Sequence, residues 1–163
     1  MTNKRNEHRH PDRSGNLECL MQVDKERLKA LVAGLTEGWK SGPVSLPQAG
    51  LGLLKLQDGA FHEPFYLGEF PVTSAHLFVS PSEGGAFEAS EYEGAALMMC
   101  DDVDFVEALA ICDAILTHRL SGAEEIMQLV DEGETIRLNE AKVRSAMLVR
   151  TRVDFSLLQD AGE

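Results

Sequence analysis

The apolar residues of this chain change their spacing twice, and that change restricts the folds open to it. Leu17, Leu20, Met21, Leu28, Leu31, Val32 and Leu35 recur at intervals of three and four, the helical period. Asp24 is a candidate N-cap dividing this stretch into a short and a longer helix, and Gly38 is a candidate stop. Residues 41–47 hold two prolines and a glycine and read as a loop. Strand patterns follow. Residues 51–57 form a compact apolar run closed by the Asp58-Gly59 turn signal, and residues 65–70 and 72–80 are two more strand candidates, parted by Pro71, which cannot donate to a ladder. Residues 95–100 are apolar throughout, as a buried central strand would be. The helical period then returns with Phe105, Leu109, Cys112 and Leu116 on one face.

Residues 122–134 fit either a helix or a short strand, whereas Ile136, Ala141, Val143, Ala146 and Met147 support a helix over residues 135–150. Helices, then strands, then helices predict an α+β fold, with a small antiparallel sheet of about four strands flanked by N-terminal and C-terminal helices. Residues 1–16 lack a large apolar side chain after Met1 and read as a disordered tail. Residues 17–158 then make one domain and residues 159–163 a C-terminal tail. A chain of 163 residues can bury a core without metal or disulfide staples. The three cysteines, Cys19, Cys100 and Cys112, have no C-x-x-C spacing and read as buried thiols. No apolar run reaches the ~18 residues of a membrane span and no signal-peptide core is present, so a cytoplasmic location is expected.

Charge narrows the function classes. Between Lys55 and Arg119 there is no lysine or arginine, while 12 of the 27 acidic residues fall there. The net charge of −12 belongs to that interval, because the flanks balance 15 acids against 15 cations. Such a surface repels polyanions and attracts basic ones, so the centre of the chain is a poor site for nucleic acid or phosphate. Cations gather instead at Arg137, Lys142, Arg144, Arg150 and Arg152, which read as a solvated helix face or an anion contact.

No nucleophile–base signature, H-E-x-x-H, P-loop or G-x-G-x-x-G occurs. His8 and His10 flank Arg9 in the tail, and His62, His76 and His118 lack a nameable partner. Asp101, Asp102 and Asp104 precede the helical Phe105 pattern. They read first as N-terminal capping carboxylates, and alternatively as part of a divalent-metal site in an independent enzyme.

Five strings together resemble the PhnG family, a small subunit of the bacterial carbon–phosphorus lyase system for phosphonate use. They are Pro47-Gln48-Ala49-Gly50-Leu51, Pro64-Phe65-Tyr66-Leu67-Gly68-Glu69, Val72-Thr73, Glu107-Ala108-Leu109-Ala110 with Asp113-Ala114, and Thr151-Arg152-Val153-Asp154-Phe155. Where family members tend to carry a glycine and an arginine, this chain has Cys100 and Asp101. The resemblance implies a non-autonomous subunit of the complex that displaces adenine from ATP with a phosphonate, giving ribose 1-phosphonate 5-triphosphate. It implies partners of the PhnH, PhnI and PhnJ families, and no cofactor on this chain. Gly68, Glu69, Thr73, Gly94, Asp113, Arg152, Asp154 and Phe155 are the motif or interface candidates, and no catalytic residue is assigned. A purely structural adaptor is the remaining alternative.

Overall fold

The computed structural model describes residues 13–81 and 90–150. Among them the chain is α+β, with helices α1 (Arg13–Leu20) and α2 (Lys25–Leu35), strands β1 (Lys40–Gln57), β2 (Pro64–Ser80) and β3 (Tyr92–Met98), and helices α3 (Val103–His118) and α4 (Ala123–Arg150). The sheet is antiparallel in the order β1-β2-β3.

Three strands stand where about four were expected, and Pro71 explains the difference. It pairs opposite Leu51 within an unbroken β2, at a point β3 does not reach, since the β2–β3 pairing begins at Thr73 with Met98. There β2 has a neighbour on one side only, the position where a sheet tolerates proline. The loop expected over residues 41–47 is instead the first part of β1. Pro43 and Pro47 lie on an edge strand, and the register shifts between Pro43 and Ser45 and between Ser45 and Gln48. Residues 95–100 are not a central strand either. β3 is an edge strand whose side chains alternate between buried and exposed, with Leu97 67 % exposed.

The helical readings near the N-terminus hold. Asp24 caps α2 by accepting the Arg27 N–H at 2.8 Å, and Gly38 takes a positive φ of 79° just beyond the helix. α1 begins at Arg13, inside the segment read as tail, because that arginine pairs with Asp113 on α3, a partner 100 residues away that no local pattern announces. Residues 13–16 of that tail thus belong to α1, and residues 1–12 lie outside the described residues.

α3 is the centre of the molecule. It packs on β2 and β3, and α1, α2 and α4 pack on it in turn. Phe105, Val106, Leu109, Ala110, Cys112, Ala114 and Ile115 are therefore all buried, more than the single face expected. Burial pushes the Cys112 thiol up to about 12, with the Asp113 carboxylate adding to the effect.

α4 resolves the ambiguity over residues 122–134 as one 28-residue helix. Gly133 sits in its interior because a Cβ there would meet the Cys19 backbone, 2.6 Å from the carbonyl carbon. α1 and α4 thus touch backbone to backbone. Ile126, Leu129 and Val130 bury the first half of α4 in the core. The second half leaves Val143, Met147, Leu148 and Val149 exposed.

Candidate interaction surface

β1 and β2 outrun β3. Past the Ala49–Thr73 pair they continue to the Gln57–Pro64 pair with no third strand beside them among the described residues. At 3.3 Å per residue this two-stranded arm extends roughly 25 Å beyond the sheet. Asp58 organises its tip: the carboxylate accepts the N–H groups of Ala60 and Phe61, the carbonyl accepts the His62 N–H, and His62 takes a φ of 56°. The Asp58-Gly59 turn signal therefore marked a real turn.

The arm exposes large apolar side chains on both faces. Cross-strand partners share a face, so Leu51 and Leu53 lie with Pro71 and Glu69 on one side, and Leu54 and Leu56 with Gly68 and Phe65 on the other. A shift in register between Leu54 and Lys55 leaves Leu67 as the extra residue of a bulge. Leu51 is 69 % exposed, Tyr66 62 % and Phe61, at the tip, 82 %. An isolated two-stranded ribbon is marginally stable in water, and exposed apolar surface of this extent marks a contact site.

The other sheet edge is closed. On β3 the Ala95 N–H is taken by Asp113 Oδ2 at 2.9 Å, and the Glu93 carbonyl accepts from His118 Nε2 at 3.2 Å. Two α3 side chains thereby occupy backbone groups that would otherwise template a further strand. His118, for which the sequence offered no nameable partner, reaches a strand carbonyl, with its ring beside Tyr92.

These contacts locate the candidate residues. Gly94 and Asp113 meet at the seam between β3 and α3. A Cβ on Gly94 would lie 2.6 Å from the Ala114 nitrogen and would also strike the Ala110 carbonyl oxygen. Thr73 is buried at the root of the arm, where its hydroxyl donates to the Cys100 carbonyl at 2.7 Å. Gly68 and Glu69 lie on the exposed arm, apart from that seam. Arg152, Asp154 and Phe155 lie outside the described residues. Sequence reasoning missed Arg13 and the arm as a unit. The signal for the arm was present in Leu51-Gly52-Leu53-Leu54-Lys55-Leu56, where leucines occupy both strand faces instead of alternating with polar residues.

Within the aspartate cluster, Asp102 has a structural task. Asp102 caps α3, its Oδ1 accepting the Phe105 N–H at 3.0 Å while Oδ2 faces Lys25 at 3.6 Å and Lys29 at 3.8 Å. Among the described residues no group of three His, Cys, Asp or Glu side chains is placed to hold a metal ion. The Phe105 N–H, then Lys29 and Lys25, hold the Asp102 carboxyl below its usual range. A carboxyl whose folded pKa is depressed contributes stability above its unfolded pKa and loses it as pH falls through the folded value. Asp102→Ala is therefore expected to cost about 1 kcal/mol at pH 7, with the gap from the parent chain closing below about pH 4. Urea unfolding at pH 7 and pH 3 measures both, and a gap unchanged at pH 3 would refute the assignment.

No helix among the described residues is long and apolar enough to cross a membrane. In comparison with known proteins, the family model described as "Phosphonate metabolism protein PhnG" matches residues 11–159. No curated protein gives a significant match to the chain.

Proposed function

The chain belongs to the PhnG family of phosphonate metabolism proteins, and from that membership we propose that it acts as a non-autonomous subunit of a carbon–phosphorus lyase core complex. In that role it contributes to transfer of the ribose triphosphate moiety of ATP to a phosphonate, with release of adenine, in the cytoplasm. The partners are subunits of the PhnH, PhnI and PhnJ families. ATP and the phosphonate are substrates of the assembly, and this chain holds no cofactor of its own.

The observation that carries this reading is the arm: a ribbon with large apolar side chains exposed on both faces suits a chain that works inside an assembly. Charge is consistent with it. Both substrates are anionic, and the chain has no lysine or arginine between Lys55 and Arg119. Cations for the phosphates must come mainly from other subunits or from the exposed stretch of α4 that carries Arg137, Lys142 and Arg144.

Co-production with the PhnH, PhnI and PhnJ subunits, followed by an assay of adenine release from ATP and methylphosphonate, tests the reading. The complete complex is expected to turn over, and the chain alone to show no activity. Full-rate turnover by the chain alone would overturn the proposal. Assembly of an equally active complex without the chain would do the same, and loss of assembly on its omission would identify a purely structural adaptor.

A further inference from the structure

We propose that the arm formed by residues 50–57 and 64–72 inserts into an apolar cleft, rimmed by lysine and arginine, on a different polypeptide chain. This rests on the subunit reading above and specifies which surface makes the contact and what receives it.

Three observations select the occupant. The first is that both faces expose large apolar side chains. Leu51, Leu53 and Tyr66 lie on one side and Leu54, Leu56 and Phe65 on the other, all exposed. A flat partner would cover one face and leave the other in water, whereas a cleft covers both. The second is area. At about 200 Å² for a large apolar side chain, the exposed parts of the arm and its tip amount to on the order of 1,000 Å², comparable to the ~800 Å² that one partner contributes to a stable interface.

Charge is the third. The arm and tip carry Asp58, Glu63 and Glu69 against one cation, Lys55, and lead into the cation-free acidic interval. A second copy would bring like charges together, which costs affinity and slows encounter. A partner with a basic rim gains on both counts. The sheet's two edges do not compete, since Asp113 and His118 occupy backbone groups along β3, and the first half of β1, on the opposite edge, carries Pro43 and Pro47.

The test places the photocrosslinker p-benzoylphenylalanine at Leu53 or at Leu56, one on each face, with Glu124, exposed near the start of α4, as the control position. The full chain is co-produced with the PhnH, PhnI and PhnJ subunits and irradiated. Both arm positions are expected to crosslink to one and the same non-self subunit, at least tenfold above the control. An assembled complex without arm crosslinks would overturn this inference and leave the subunit reading standing. Crosslinks from a single face would overturn the cleft, and crosslinks to a second copy would overturn the choice of partner. If no complex forms, the subunit reading fails and this inference falls with it. An independent readout uses Leu53→Asp combined with Leu56→Asp. The free chain is expected to keep its Tm within a few degrees, because both side chains are partly exposed and neither belongs to the buried core, while affinity for the subunit identified by crosslinking falls at least 100-fold. Undiminished affinity would refute the proposal, as would a collapse of Tm showing that the arm is buried within its own chain.

Discussion

Gly94→Ala is expected to destabilise the chain by about 3 kcal/mol, the upper range for overpacking a well-filled interior. The added methyl would lie 2.6 Å from the Ala114 nitrogen and 2.8 Å from the Ala114 Cβ, and would overlap the Ala110 carbonyl oxygen. Two of these are backbone atoms of α3, so no side-chain rotation relieves the overlap. Either β3 lifts from α3 or α3 moves, and α3 carries Phe105, Leu109 and Ile115 into the core. Total stabilities run to about 5–15 kcal/mol, so the loss takes a large share. Gly68→Ala is the control: a Cβ there meets nothing within 4 Å, and a change within about 0.5 kcal/mol is expected. Urea unfolding of the two variants beside the parent chain decides the matter. Equal midpoints for Gly94→Ala and the parent would show that β3 and α3 do not approach this closely.

That glycine shows where sequence reading reaches its limit. Caps are local, so Asp24 and Asp102 announced the starts of α2 and α3. Glycines 94 and 133 are instead dictated by surfaces distant in the chain: α3 for the one, and the Cys19 carbonyl of α1 for the other. A glycine inside the acidic segment before Thr135 therefore gave no sign that a single helix runs through it. Pro71 misled for a related reason. A proline breaks a strand when ladder partners flank it, but whether β3 reaches that far is a property of the sheet. The arm was open to the same mistake. Its leucines were visible as a strand, yet their exposure on both faces follows from where β3 ends, and the short apolar run at residues 95–100 looked the same whether central or at an edge. The family-motif residues divide accordingly. Gly94, Asp113 and Thr73 are explained by packing and hydrogen bonding within this chain, whereas Gly68 and Glu69 have no such explanation and lie on the arm.

Asp113→Ala is the second large effect expected, about 3 kcal/mol, the lower end of the cost of breaking a buried ion pair. The carboxylate is only 2 % exposed, and it joins three parts of the fold: α3 carries it, the Arg13 guanidinium of α1 binds both its oxygens, and the Ala95 N–H of β3 donates to Oδ2. Truncation orphans that N–H and releases the start of α1 together. Arg13 is itself more than half exposed, so water partly replaces it, and Arg13→Ala is expected to cost about half as much. Asp113→Asn keeps an acceptor for Ala95 and should fall between the two. A double-mutant cycle over Arg13 and Asp113 isolates the pair from the strand contact. Amide hydrogen exchange separates the remaining share: the Ala95 N–H should lose protection in Asp113→Ala and keep most of it in Arg13→Ala. Equal protection in all three chains would mean that the Asp113 carboxylate does not close the edge of β3. Loss of protection in both variants would mean that the guanidinium positions the carboxylate, so that the start of α1 and the edge of β3 are secured by one contact and not by two independent ones.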